Sequence, residues 1–414
     1  MAMLKLLELF AGVGAQRMAL DRLGIEYKSV GISEISRPAI RAYEQIHGDL
    51  DNLGDITRLE ALPDCDMLTY SFPCQDLSVA GLRRGMGRGA GTRSGLLWEV
   101  ERLLKGAPHL PRVLMMENVV QVHSAANSAA WRDWIASLSL LGYTSSWADI
   151  NAADHGIPQH RVRCIMISRR DGHVWVPPRP RPLKKTLRDV LEEGPIDREY
   201  YIQPDRMRTL LAHLMRNRDA GRGYGMRITD PASVSRTVTA RQRREEEETV
   251  IPAESALVPT IDEMTATYCH KIGMIEGRYD TSRRVYATDA CAPAVTVWAS
   301  NRTNGIKILD DRGGIPYIPT AEEPKTIEEI PPEYRIRRLT PRECWRLMDF
   351  YAPDGHEYYD DLVSDDPRDG VGISPGQRVT LAGNSICVGV LAEVLRGVFV
   401  PSSPTLDRWT EDGQ

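Results

Sequence analysis

Residues 4–23 read LKLLELFAGVGAQRMALDRL, and this stretch decides the fold. Leu4 to Phe10 is a short apolar run of strand length. Gly12 and Gly14 then allow a tight backbone turn and close approach of a ligand. Ala15 to Leu23 carries helical spacing. Strand, glycine turn and helix in that order open a ligand-binding α/β unit. The full six-residue phosphate pattern is missing and no Walker sequence occurs. A nucleoside-like cofactor without phosphates fits this turn better than NAD or ATP.

The same alternation continues outward. Tyr27 to Ser33 reads as a second strand, and Pro38 opens a helix that ends near Gly48. Strand signals recur at Asp66–Tyr70, Arg112–Glu117, Thr144–Ile150 and Arg163–Ser168, with helical spacing over Trp131–Leu141. Strands alternating with helices imply a parallel sheet. Ligands bind beyond the carboxyl ends of such strands. Glu34 ends the second strand, where an acidic residue holds ribose hydroxyls in dinucleotide sites. Asp55 follows in GDI and can accept from an adenine amino group.

The chain has 414 residues, 42% hydrophobic and 26% charged, a globular balance that suits two domains. No apolar run approaches the roughly 20 residues of a membrane span. MAMLKLLELF lacks a basic leader and reads as a buried strand, so a cytoplasmic location is expected. The expected division is a large ligand-binding domain over 1–175, a small, irregular and partly β domain over 176–375, a return segment over 376–400 and a flexible tail over 401–414. The basic, proline-rich VPPRPRPLKK reads as the linker between the first two. In LTPRECWRLMDF, Thr340 caps a helix that Pro341 begins, with Glu343 completing a capping box. A last helix is expected from about Ser385 to Val398.

The cysteines are Cys65, Cys74, Cys164, Cys269, Cys291, Cys344 and Cys387. None forms a C-x-x-C pair and no H-E-x-x-H occurs, so no metal site is expected. Most suit buried positions. Cys74 differs: it follows a strand in YSFPCQDLSVAG, between Pro73 and Gln75 in a polar loop. A nucleophilic thiol needs thiolate character and such access. The next loop, LRRGMGRGAGTRSG, is dense in glycine and arginine and suits closure over phosphates, with a plain surface loop as the alternative. Net charge is −5, which argues mildly against nucleic acid. Local clusters at Arg83, Arg84, Arg88 and Arg93, and at Arg236, Arg241, Arg243 and Arg244, argue the other way, with solvated surface charge as the plain reading. MMENV ends an apolar strand with Glu117 and Asn118, and a carboxyl among buried residues should have a raised pKa. QHRVRCIMIS puts Arg161 and Arg163 on one face at a strand start, where they can clamp an anion or a carbonyl.

Taken together, these segments resemble the DNA (cytosine-5)-methyltransferase family, in the same order along the chain. FAGVGAQ, Glu34 and Asp55, PCQDLSVAG, RSGLLWEVER, ENV, QHRVR, RRLTPREC and GNS (residues 383–385) carry the likeness. It covers about 4–170 and 335–395, leaving the middle as the family's variable target-recognition region. Ala15 departs from the third small glycine of many members.

The resemblance implies a Rossmann-like S-adenosylmethionine-dependent methyltransferase domain acting on double-stranded DNA. Cys74 is the implied nucleophile at cytosine carbon 6. Glu117 is implied to hold ring nitrogen 3 and the amino group, Arg163 the ring carbonyl, and Arg161 the thiolate and loop. Phe10, Gly12, Gly14, Glu34, Asp55, Ile56, Pro73, Leu96 and Asn384 are the implied cofactor contacts. Gln75, Ser78, Arg83, Arg84, Arg236, Thr237, Arg241 and Thr296 are candidate DNA contacts. A monomer is expected, a partner restriction endonuclease is compatible, and no metal is implied. The rivals are an RNA-directed member of the superfamily, a silent DNA-binding relative and a Rossmann oxidoreductase.

Overall fold

We describe the protein from a computed structural model covering residues 3–48, 51–74, 77, 86–88, 92–219, 227–240, 249–252, 264, 271–274, 284–286, 307–308, 326, 328 and 335–400. The chain divides into two compact units. The larger comprises 1–185, 236–240 and 344–414, and the smaller 186–235 and 241–343.

The larger unit is built on a six-stranded sheet. Its strands are β1 (Leu4–Leu9), β2 (Tyr27–Ser33), β3 (Met67–Tyr70), β4 (Val113–Asn118), β5 (Thr144–Asn151) and β6 (Val162–Arg169), in the order β2-β1-β3-β4-β6-β5. β1 to β4 pair in parallel. MLTY and VLMMEN are buried at every position, as continuous apolar strands covered on both faces should be. The helices are α1 (Ala15–Arg22), α2 (Arg37–His47), α3 (Leu97–Gly106) and α4 (Ser128–Leu140). α4 buries Trp131, Trp134 and Leu138 at helical spacing, and Trp134 meets the Tyr70 ring edge-on at 5.7 Å.

The sheet is mixed rather than wholly parallel. β6 runs antiparallel to both β4 and β5. The reason is the short connection over residues 152–161. It holds a turn of 3-10 helix (Ala152–His155) and a two-residue strand (Gln159–His160), too little for the crossover of a dozen or more residues that parallel neighbours need.

The basic, proline-rich stretch is not a free linker. Trp175 is buried, Arg181 bonds back through its amide to the Asp154 carbonyl at 2.8 Å, and its guanidinium pairs with Glu393 at 2.7 Å. The larger unit therefore extends to residue 185 rather than 175. It resumes at 344 rather than 376, after reclaiming residues 236–240 from the middle of the chain.

The capping box at Thr340 is present: the Thr340 amide donates to Glu343 Oε2 at 2.9 Å and the Glu343 amide to Thr340 Oγ1 at 3.2 Å. In the smaller unit α5 (Pro204–Asp219) precedes two small sheets. One joins β7 (Arg227–Ile228), β8 (Thr249–Pro252) and β12 (Ile336–Arg338). The other joins β9 (Lys271–Met274), β10 (Arg284–Tyr286) and β11 (Lys307–Ile308).

α6 (Pro341–Arg346) leads back into the larger unit. The expected last helix is α8 (Val388–Phe399), and α7 (Pro375–Asn384), for which the sequence reading has no counterpart, precedes it across 385–387. By length and composition this stretch could cross a membrane. Here α8 packs on α1, burying Val388, Val390, Leu391, Val394 and Leu395 as core. Each such side chain contributes about 1.5–3 kcal/mol on burial. The tail beyond residue 400 lies outside the described residues.

Candidate active site

A cavity of about 270 Å³ opens at the carboxyl ends of β1, β2, β3 and β4, within the larger unit. Phe10, Gly12, Glu34, Asp55, Ile56, Pro73, Cys74, Leu96, Glu117, Arg161, Arg163 and Asn384 all line it. These include each expected catalytic residue and all but one of the expected cofactor contacts.

The exception is Gly14. Its φ of 77° caps α1, and a Cβ there would stand 2.5 Å from His47 Nε2 and 2.8 Å from the Tyr43 ring. Gly14 serves the turn and the packing of α2, not the cavity wall. Phe10 also lies at positive φ (57°), a conformation that costs a non-glycine residue energy and recurs at ligand sites.

At one end of the cavity a carboxylate is fixed in place. Glu34 accepts from the Gly12 amide at 3.0 Å through one oxygen, and from the Ile35 and Ser36 amides at 2.9 and 2.8 Å through the other. Asn52 locks the same turn. Its Oδ1 accepts from the Glu34 amide at 3.2 Å and the Gly54 amide at 3.0 Å, and its amide nitrogen donates to the Glu34 carbonyl at 3.0 Å. The sequence gives no motif for Asn52. Asp55 accepts through Oδ1 from both the amide and the hydroxyl of Thr57 at 2.9 Å, which holds its pKa below the usual carboxylate range. Two carboxyl groups beside Phe10 and Ile56 fit a ribose and an adenine ring, and among the described residues no donor cluster suited to a pyrophosphate adjoins them.

The reactive end is formed where β3 and β4 stop and the antiparallel β6 begins. Asn118 donates to the Phe72 carbonyl at 3.0 Å, and Ser94 Oγ donates to the Pro73 carbonyl at 2.7 Å. These bonds set the backbone that carries Cys74. Glu117 is 7% exposed and pairs with Arg163, whose Nε lies 3.1 Å from Oε1. Burial raises the Glu117 pKa while Arg163 and Arg161 pull it down, and the net direction is up. Burial, then the Glu117 charge, also raise the Cys74 thiol above its ordinary value, partly opposed by Arg163.

Arg161 is 3% exposed. Its guanidinium donates to the carbonyls of Val238 at 2.8 Å, Gly383 at 3.0 Å and Ser385. It therefore ties the strand to the reclaimed segment and to the end of α7. Burial drops its pKa to about 9. Gln159 works beside it, donating to the Leu347 carbonyl and accepting from the Val238 amide, at 2.8 and 2.9 Å.

The candidate DNA contacts fare differently. Gln75, Ser78, Arg83, Arg84, Arg241 and Thr296 lie outside the described residues. Arg236 is exposed, whereas the Thr237 hydroxyl donates to the His160 carbonyl and is spent on the fold. Arg88, from the first arginine cluster, stacks 3.8 Å over the Trp98 ring and pairs with buried Glu101, so it anchors the end of its loop.

Residues 4–399 match the C-5 cytosine-specific DNA methylases. The chain belongs to that family. Among similar proteins, the orphan methyltransferase M.SssI of Spiroplasma monobiae is 34% identical over 258 residues, covering 47% of this chain and 67% of that protein. The type II methyltransferase M2.ScrFI of Lactococcus lactis is 32% identical, covering 49% and 71%. The fold is also that of the Dnmt2 methyltransferase of S. pombe, with a TM-score of 0.58, 19% identity and coverage of 95% and 96%. This methylase uses S-adenosylmethionine to methylate cytosine in DNA.

Proposed function

We propose that this methylase swings a cytosine out of duplex DNA and modifies it through a transient covalent bond from Cys74. The observation that carries this is the convergence of Cys74, Glu117 and Arg163 on one cavity, with Glu117 and Arg163 paired at 3.1 Å. Carbon 5 of cytosine is a weak nucleophile. Addition of the Cys74 thiolate, formed by loss of the thiol proton to solvent, to carbon 6 moves ring electrons toward carbon 5 and nitrogen 3. Glu117, whose carboxyl burial pushes above its ordinary pKa, hydrogen-bonds nitrogen 3 and stabilises the adduct. Arg163 donates to the ring carbonyl. S-adenosylmethionine, its nucleoside held by Glu34 and Asp55, would supply a methyl group electrophilic enough for carbon 5 to take. Carbon 5 then loses its proton to a base, the carbon–sulfur bond breaks, and Cys74 leaves as thiolate.

The target carbon is unreachable in a stacked duplex, so the base must leave the helix, at about a few kcal/mol. Contacts from Gln75, Ser78, Arg83 and Arg84, and from Arg236, Arg241 and Thr296, belong to this reading as DNA contacts. So do sequence readout by the smaller unit, a monomeric enzyme, metal-free catalysis and a cytoplasmic location. The type II name of one relative makes a partner endonuclease a compatible arrangement.

Incubation with S-adenosylmethionine and duplex DNA carrying 5-fluorocytosine tests the reading. Fluorine does not leave as a proton does, so a denaturation-resistant protein–DNA complex should accumulate, and Cys74→Ser should abolish it. Methyl transfer to ordinary DNA with no trapped complex would overturn the covalent step.

A further inference from the structure

Three residues far apart in sequence meet beside the catalytic strands. His123 lies in the turn after β4, Asp149 on β5 and Cys164 on β6, where Asp149 and Cys164 are directly paired across the strands. One donor atom from each falls within 4.8 Å of the others. His123 Nε2 lies 2.9 and 3.2 Å from the two Asp149 oxygens. Cys164 forms the buried floor, while the His123 and Asp149 side chains are 28% and 38% exposed and leave one side open.

We propose that His123, Asp149 and Cys164 form a site for one divalent cation of the zinc class. The donor set is one imidazole, one carboxylate and one thiolate, the mixture that borderline-soft ions select. Around tetrahedral zinc, bond lengths of about 2.0–2.3 Å place donor atoms roughly 3.3–3.6 Å apart. The histidine–aspartate separation already lies close to that range. The sulfur lies within 4.8 Å of both and needs to approach by at most roughly an ångström. The open side admits water as fourth ligand. Binding leaves the His123 ring proton on Nδ1 and releases the Cys164 thiol proton to solvent, so one proton leaves per ion bound. Burial and the Asp149 charge keep the unliganded thiol protonated, and a dication reverses both influences.

The absence of any metal motif in the sequence follows from this geometry. The ligands come from three separate elements and share no spacing. The ion would staple the turn after Glu117 and Asn118 to β5 and β6. It acts on the fold of the larger unit and takes no part in methyl transfer, so it stands apart from the covalent mechanism.

The test uses the full chain, freed of metal with chelator and titrated with cobalt(II) in a Cys74→Ser background, which removes the catalytic thiol from the signal. One equivalent should bind, with a sulfur-to-cobalt charge-transfer band in the near ultraviolet that zinc abolishes by displacement. His123→Gln and Asp149→Asn, both on the open side, should each weaken binding by about tenfold or more. Cys164→Ala should remove the charge-transfer band. Melting temperature should rise with zinc in the parent and not in His123→Gln. A saturable site unchanged in His123→Gln and Asp149→Asn, or no thiolate band in the parent, would overturn the assignment.

Discussion

Arg161→Lys separates a structural clamp from a purely catalytic charge. The guanidinium reaches three backbone carbonyls, of Val238, Gly383 and Ser385, from a position 3% exposed. An ammonium has a single nitrogen on a shorter, differently shaped head and serves one of these, or two at a stretch. At least one buried acceptor then loses a charge-assisted partner, at about 1.5–3 kcal/mol each. The expected loss is about 2–4 kcal/mol, or a fall in Tm of roughly 5–15 °C for a unit of this size. Arg161→Met leaves all three carbonyls bare and should cost more than lysine. Thermal and urea unfolding of the parent and both variants give the measurement. If Arg161 acted chiefly through its charge on the thiolate, lysine would preserve stability and only slow the covalent trap. A lysine variant melting within about 1 °C of the parent, or a methionine variant more stable than the lysine one, would refute the clamp.

Glu8 is fully buried under α2 with Tyr43 donating to it, and burial lifts its pKa from 4.5 to about 7. The folded carboxyl keeps its proton where the unfolded one has lost it, so stability falls as pH rises from about 4.5 to about 7. That loss is on the order of 3 kcal/mol. Glu8→Gln should flatten this slope in urea melts across pH, and an unchanged slope would remove Glu8 as its source. The Cys74 thiol is held above its ordinary pKa in the unliganded protein. Its alkylation by iodoacetamide, followed on the Cys74 peptide by mass spectrometry, should be slow at neutral pH and still rising with pH beyond 9, with an early plateau counting against this. Glu34→Gln keeps the shape but removes the charge that accepts from three amides and faces the cavity. Calorimetry should show S-adenosylmethionine binding weakened about tenfold or more, with a modest fall in Tm because the glutamine NH2 cannot accept from the backbone amide it faces. Unaltered affinity would place the cofactor elsewhere.

Much of the larger unit is legible from sequence because its signals are local. A glycine turn after an apolar run, the continuous strands MLTY and VLMMEN, and a proline at the start of α2 each fix geometry within a few residues. The ends of successive strands in a parallel sheet also share one edge. Motifs that close strands, such as Glu34, Cys74 and Glu117, are thus brought to one cavity by topology alone. What escaped is what the strands do at long range. The reversal of β6 followed from a connection too short for a crossover, a length that was visible but outweighed by the alternation of strands and helices. Gly14 read as a cofactor contact because a glycine that approaches a ligand and one that approaches a helix look alike in one dimension.

The partners of the site residues were the hardest to foresee, for a chemical reason. Glu34 is held by backbone amides, Asn118 and Ser94 hold the backbone carbonyls of Phe72 and Pro73, and Arg161 holds three more. Every residue offers a carbonyl, so a carbonyl acceptor leaves no mark in the sequence. Only the donor's identity is written there, and its spacing says nothing about which distant segment it will hold. Segment 236–240 illustrates the consequence. Its sequence, RTVTA, read as part of a DNA-contacting region. In the fold Val238 is fully buried, with its amide and carbonyl engaged by Gln159 and Arg161. A Cβ on Gly383 would lie 2.2 Å from the Ala240 nitrogen, so the GNS motif needs glycine there to let this segment pass. The glycine's reason for being in the motif is therefore a chain about 140 residues earlier, and no reading of either segment alone supplies it.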